Sequence, residues 1–259
     1  MSDASIHDAP LAFVSGAAKR IGRAVALHLA ERGWDIAAQH RGSDPAAVAE
    51  ITAAIEGLGR RCAWFEADFS DPAVIEPLCD AVCAWAGPPQ LVINSASLFL
   101  RDQAGAARSD LFQSQMTVNA LHPVLVTESF ARRAAAPMLA VNFLDQKIEN
   151  FSRDYFTYTL SKVALAAATK IHAFSLGPQT RVCGIAPGIV LPSGGQSWEE
   201  FEEMARRNPA RAIPTLEEIC ATIDLMWESG SLNGSIIYLD GGRHLGADAG
   251  ADDMGVDGA

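Results

Sequence analysis

The sequence predicts an α/β fold: a single doubly wound parallel sheet of about seven strands, with helices on both faces. Three observations predict it. Short apolar runs such as "LAFV" (11–14) alternate with longer segments of helical periodicity along most of the chain. Those runs are apolar throughout rather than alternating, as strands covered on both faces are. And the first run breaks into "SGAAKRIG", a glycine-framed turn that opens a helix, the layout of a dinucleotide-binding (Rossmann) sheet.

The elements follow in order. Strand one, 11–14, leads into the helical "RAVALHLAERG", which ends at Gly33, a residue suited to the position just past a helix. "DIAAQ" (35–39) reads as strand two. "DPAAVAEITAAIEGLG" is a helix with Asp44 as N-cap and Pro45 at the first helical position. "CAWFEAD" is strand three, "DPAVIEPLCDAVCAWAG" a helix, and "QLVINSAS" strand four with its exit loop. One long helix is expected over 110–135. "PMLAVNFLD" is strand five, "YTLSKVALAAATKIHAFSLG" a helix, and "TRVCGIAPG" strand six. Helices over "SWEEFEEMARRN" and "LEEICATIDLMWESG" precede a last strand, "GSIIYLDGG". Right-handed crossovers between parallel strands make the sheet doubly wound. With no repeat and no Pro/Gly/Ser-rich linker, 10–245 is expected to be one domain. The polar residues 1–9 read as a flexible start, and the acidic, Gly/Ala-rich 246–259 as a disordered tail.

Composition narrows the function. The formal net charge of −11 argues against nucleic acid and anionic membrane as partners. No apolar run reaches the roughly eighteen residues of a membrane span, and the N-terminus lacks the features of a secretion signal. Five cysteines, without a C-x-x-C pair, suit a reducing cytoplasm better than a disulfide framework or metal site. Cys79 and Cys83, one helical turn apart, read as small buried apolar residues.

In so acidic a chain, the placement of cations is informative. Gly16 and Gly22 frame the first turn, where backbone N–H groups and the helix dipole favour a pyrophosphate. Arg20 stands where a middle glycine is usual, and its guanidinium can meet anionic oxygens bidentately. Lys19 and Arg23 add positive charge. At the end of strand two, Gln39, His40, Arg41 and Ser43 replace the carboxylate that receives the ribose 2′-hydroxyl of NAD. Arg41 and a hydroxyl suit a 2′-phosphate, so NADP(H) is the expected cofactor.

The segment after strand five holds Tyr155, Tyr158 and Lys162. Tyr158 and Lys162 are four apart and share a helix face. An ammonium beside a phenol is expected to lower its pKa and make Tyr158 a usable proton donor or acceptor. Tyr155 has Thr159 at that spacing. Thirteen residues before Tyr158 stands a carboxylate, Asp145, which reads either as a cap on the turn after strand five or as a proton carrier.

Over residues 10–245 the chain resembles a short-chain dehydrogenase/reductase. "NSAS" (Asn94–Ser97) resembles that family's loop after strand four, Asn119 in "TVNALHP" its helix asparagine, "APG" (186–188) the turn that holds the nicotinamide, and "LDGG" the end of its last strand. The resemblance implies that Tyr158, Lys162 and Asn119 are catalytic, with Asn119 supporting the lysine through water. It implies cofactor contacts from Gly16, Lys19, Arg20, Ile21, Gly22, His40, Arg41, Ser43, Asp68, Phe69, Asn94, Ser95, Ala96, Pro187 and Gly188, besides Tyr158 and Lys162.

Most of the family carries a serine at the position of Asp145. A carboxylate cannot donate to a carbonyl unless protonated, but can relay a proton to a ring nitrogen. The subgroup with this aspartate resembles pteridine reductases and the bacterial dihydromonapterin/dihydrofolate reductases of short-chain type. "SGAAKRIG", "HRGS" with one inserted glycine, and "DGGRH" with Arg243 and His244 also resemble theirs. That likeness implies Phe99, Arg20, Ser97, Asp145 and Tyr158 as pterin contacts, although Leu98 departs from its serine. It places the variable substrate loop at about 189–212. The expected activity is NADPH-dependent reduction of a pterin C=N bond. A carbonyl reductase and a silent NADP(H) sensor are the alternatives. The helices over 110–135 and 158–177 resemble those of the family's dimer contacts, which implies a homotetramer.

Overall fold

The computed structural model describes residues 9–192 and 196–246. Seven parallel strands form one sheet in the order β3-β2-β1-β4-β5-β6-β7. They are β1 Leu11–Val14, β2 Asp35–His40, β3 Cys62–Glu66, β4 Leu91–Asn94, β5 Met138–Phe143, β6 Thr180–Pro187 and β7 Ile236–Leu239. The order reverses between β1 and β4, which is where such sheets open a crevice beyond their carboxyl ends. Register is set where side chains are buried on both faces: Leu11 pairs with Asp35, Ala12 with Leu91, and Leu91 with Leu139.

Helices α1 (Arg20–Glu31), α2 (Pro45–Gly57) and α8 (Leu216–Glu228) cover one face, and their apolar stripes meet Ile36, Leu91, Ile93 and Ile185. Helices α3 (Ile75–Ala86) and α5 (His122–Arg133) cover the other, around Phe13, Val92, Phe130 and Ala140. Asp44 caps α2 as expected, accepting from the Ala46 N–H at 3.0 Å. Gly33, at φ +92, follows the last turn of α1. Among the described residues no helix is long and apolar enough to cross a membrane. The expected flexible start and acidic tail lie, but for residues 9 and 246, outside the described residues, as does 193–195 of the substrate loop.

The expected long helix over 110–135 is not continuous. It divides into α4 (Ser109–Met116), a π turn at Thr117–Leu121, and α5. The break has local causes. Pro123 lacks the N–H that would continue the ladder, and the Thr117 carbonyl receives both the His122 backbone N–H and a contact from His122 Nδ1 at 2.8 Å. Helix α6 (Phe156–Leu176) starts two residues before the expected Tyr158. Within the loop 189–212, α7 spans Trp198–Ala205 behind a Ser197/Glu200 capping box.

Phe13 and Phe130 are fully buried, with ring centroids 5.1 Å apart, and join β1 to α5. Phe130→Ala should cost about 3–5 kcal/mol, measured as a lowered urea midpoint.

Candidate functional site

The crevice at the carboxyl ends of the strands is a cavity of about 560 Å³. Its floor is the β1–α1 turn. Gly16 sits at φ +66, and a Cβ on Gly22 would come within 2.3 Å of the Gly16 carbonyl oxygen, so the turn closes this tightly only with glycine at both positions. Two polar side chains tie that turn to its neighbours. Ser15 Oγ accepts from the backbone N–H groups of Ser95 and Ala96 at 2.9 and 3.0 Å. Gln39 Oε1 accepts from the Gly16 N–H at 2.9 Å while its Nε2 donates to the Ala67 carbonyl at 2.7 Å. The glutamine that replaces an acid at the end of β2 therefore also braces the phosphate turn.

Arg20 takes φ +54, a conformation that favours glycine, where the sequence substitutes arginine for a glycine. Its guanidinium crosses the cavity mouth and donates to the carbonyls of Pro192 (2.8 Å) and Leu191 (3.4 Å). Lys19, Ile21, His40, Arg41, Ser43, Asp68, Phe69, Ser95, Ala96, Pro187 and Gly188 join Gly16, Arg20 and Gly22 on the wall. His40 Nδ1 accepts from the Ser43 N–H at 3.0 Å, and Arg41 lies 3.8 Å from Asp68. The cavity thus combines a glycine cradle open to phosphate with a cationic rim at β2 that carries no carboxylate on the strand end. These residues fit a 2′-phosphorylated dinucleotide.

Asn94 is the expected cofactor contact that the structure places elsewhere. It is buried on the flank of β4, where its Nδ2 donates to Asn142 Oδ1 at 2.8 Å and to Thr127 Oγ1 at 3.1 Å. Asn142 passes the chain on to Thr169 Oγ1 at 2.9 Å. The side chain points between strands rather than past their ends, so it braces β4 against β5.

At the inner end lie Ser97, Leu98, Phe99, Asp145, Tyr158 and Lys162. The Tyr158 hydroxyl donates to Asp145 Oδ2 at 2.9 Å. Asp145 Oδ1 accepts from the Lys147 N–H at 2.9 Å, so the same carboxylate also caps the turn after β5. Lys162 Nζ donates to the Phe143 carbonyl at 2.7 Å and stands 5.7 Å from the centre of the Tyr158 ring. Tyr158 and Lys162 are buried and Asp145 is half-buried.

Burial pushes the Asp145 carboxyl above the usual carboxylate range, against the opposing pull of the Lys147 and Tyr158 hydrogen bonds. Burial lowers Lys162 to about 8, with Asp145 acting against the shift. The expected lowering of the phenol's pKa does not occur. Burial, and then the charge of Asp145, hold Tyr158 well above its ordinary value. The ammonium is aimed at the Phe143 carbonyl, and the nearest charged neighbour of the phenol is negative. Tyr158 is therefore held as the neutral phenol.

Asn119 comes from the π turn and is fully buried. Its side chain makes four direct hydrogen bonds, none of them to Lys162. Its Oδ1 accepts from the Leu98 N–H (2.7 Å) and Ser97 Oγ (3.1 Å), and its Nδ2 donates to the Leu98 carbonyl (2.8 Å) and Ser161 Oγ (3.0 Å). It fastens the 97–98 loop to α6.

Phe99, 47 % exposed, presents an aromatic wall. It stacks on Tyr155 (4.2 Å, 9°) and meets the Tyr158 ring edge-on (4.6 Å, 82°). Tyr155 is a neighbour that helical spacing could not find, because it precedes α6 at φ +58 and lies off that helix's faces.

Residues 16–244 match the family model described as enoyl-(acyl carrier protein) reductase. Dihydromonapterin reductase of Escherichia coli (strain K12) is 26% identical over 239 residues, covering 90% of this chain and 95% of its own. The crystal structure of FolM alternative dihydrofolate reductase 1 from Brucella canis, complexed with NADP, superposes with a TM-score of 0.87 at 34% identity, covering 93% of this chain and 96% of that one. The Brucella suis protein, also in complex with NADP, gives 0.86 at the same identity, over 93% and 97%.

A buried lysine whose folded pKa lies below its unfolded value binds protons more weakly when folded, so its penalty on stability is relieved as pH rises through that window. The wild type should therefore gain stability relative to Lys162→Met as pH rises from about 8 towards 10.5, read as the difference in urea midpoints across that range.

Proposed function

The chain belongs to the short-chain dehydrogenase/reductase family and is an NADP-dependent oxidoreductase, and from that premise we propose that it reduces the C=N unit of a dihydropterin or dihydrofolate. One observation carries the reading: the 2.9 Å hydrogen bond between Tyr158 Oη and Asp145 Oδ2, where a carbonyl reductase needs a hydroxyl donor. The names of the Escherichia coli and Brucella relatives support it.

Gly16, Lys19, Arg20, Arg41 and Ser43 would hold the cofactor's phosphates, and Lys162, Pro187 and Gly188 its nicotinamide half. NADPH, when bound, supplies the hydride that reduces the carbon of the C=N unit. The adjoining nitrogen needs a proton, and Tyr158 is the donor in reach of the cavity. A phenol held above its ordinary pKa gives up its proton only if another replaces it. Asp145 can do this, because its own pKa is raised and its neutral form is accessible. In that form the hydrogen bond reverses: Asp145 donates to Tyr158 Oη as Tyr158 donates to the substrate nitrogen. Lys162 supplies positive charge that opposes the burial-driven rise at Asp145 and would stabilise the negative charge left on the pair once a proton has passed to the substrate. Phe99 and Ser97 offer a flat apolar face and a hydroxyl to a fused heterocycle, and Arg20 closes the mouth above it. In this reading residues 10–245 act as one domain, with 189–212 as its substrate loop.

The test is NADPH oxidation with dihydrobiopterin, dihydromonapterin, dihydrofolate and a simple ketone, side by side. Turnover of the dihydro compounds should exceed that of the ketone. Asp145→Ala should lower it by on the order of 10²-fold or more while leaving NADPH affinity nearly unchanged. Equal loss of both would reduce Asp145 to its capping role, and ketone turnover that survives Asp145→Ser would favour a carbonyl reductase.

We further propose that the chain works as a homo-oligomer, the homotetramer being the expected form, in the cytoplasm, where five unpaired thiols are stable. Leu160, Ile171 and Phe174 line one face of α6, and Phe174 is 91 % exposed. Light scattering should give a mass near four chains, and Phe174→Glu together with Ile171→Glu should lower it.

A further inference from the structure

Helix α6 carries Tyr158, yet its first turn has no cap of its own. The residue before it, Tyr155, is left-handed and makes no side-chain cap. The free N–H groups of a helix start need acceptors. Here they are supplied from fifty-five positions upstream. The Asp102 carboxylate accepts from the Thr157 N–H at 3.1 and 3.2 Å, and the Asp102 carbonyl from the Tyr155 N–H at 2.8 Å. A negative charge at that end also suits the helix dipole.

Around this contact the two segments are stitched further. Gln103 pairs antiparallel with Asp154, and the Ala104 N–H donates to the Arg153 carbonyl at 3.1 Å. Gln115, fully buried on α4, accepts from the Leu100 N–H at 3.2 Å and donates to Thr157 Oγ1. The loop that carries Phe99 and the turn that carries Tyr158 are thus one piece, and the Phe99 ring is held against both tyrosines.

We propose that Asp102 is a positioning residue for the reaction, fixing the start of α6 to the Phe99 loop so that the proton donor and the aromatic wall keep one mutual geometry. Asp102 is not among the residues of the cavity wall, so it acts through Tyr158 and Phe99. The inference rests on the reading of those two as proton donor and substrate wall.

The experiment compares Asp102→Ala with Asp102→Asn, which retains a carbonyl oxygen for the Thr157 N–H. Each is assayed for NADPH-dependent turnover of dihydromonapterin and of a ketone, for NADPH affinity, and for hydrogen exchange. A small misplacement of a catalytic group costs up to about a hundredfold, so D102A should lower kcat/KM by on the order of ten- to a hundredfold. Its NADPH dissociation constant should stay within about twofold, and D102N should keep turnover within about threefold of the wild type. Amides 156–160 should exchange faster in D102A while those of β1 and β4 do not. If D102A fails to fold, Asp102→Glu, which displaces the same carboxylate by one methylene, takes its place with the same expected loss. Wild-type turnover in D102A, equal loss of turnover and NADPH affinity, or D102N as impaired as D102A would each overturn the proposal. A wild type that reduces the ketone and no pterin would overturn the substrate reading instead, and the comparison of variants on the ketone would still decide the role of Asp102.

Discussion

A carboxylate and a phenol share one hydrogen bond at the inner end of the crevice, and the rest of the site is arranged around that bond. Burial raises the proton affinity of both groups, and the charge of Asp145 raises that of Tyr158 further, while the Tyr158 hydrogen bond pulls Asp145 back down. The half-buried carboxyl and the buried phenol also lie away from bulk water. Lys162 makes the arrangement tolerable, because it places a buried cation on the carboxylate side of the pair. Its own hydrogen bond goes to a backbone carbonyl of β5, so it stabilises by charge and position rather than by direct contact with the phenol.

That pair is useful only if the walls beside it are rigid, and buried polar side chains make them so. Ser15 holds the loop after β4, Gln39 holds the glycine turn, and Asn119 holds the Ser97–Leu98 backbone. Each satisfies backbone groups that a loop at the end of a strand would otherwise leave unpaired. Asn94, Asn142 and Thr169 satisfy one another's side chains and tie β4 and β5 to α6. Removing one partner of such a set leaves the other desolvated and unpaired, a larger penalty than the lost bond alone.

The helix break before α5 belongs to the same logic. A straight helix over 110–135 would present Asn119 at a different angle. The π turn, kept open by Pro123 and by His122 on the Thr117 carbonyl, turns the asparagine toward the loop and α6. Arg20 shows the converse. A side chain occupies a backbone conformation that favours glycine, and what it obtains is a guanidinium bound to the carbonyls of Leu191 and Pro192.

Much of the fold was legible in the residues. Apolar runs of strand length, Asp44 before Pro45, Gly33 past a helix and the Gly16–Gly22 turn are local signals, and local signals survive without tertiary context. The Tyr158–Lys162 spacing and the position of Asp145 were legible for the same reason, since helical periodicity and distance along one loop are properties of sequence. The direction of the Tyr158 shift was not, because it depends on which charge lies nearer in space and on how deeply the ring is buried. Nor were the contacts of Asn94 and Asn119, the stacking of Tyr155 on Phe99, or the cap that Asp102 lends to α6. Those join residues 21 to 56 positions apart, and only the folding of the sheet brings them into contact.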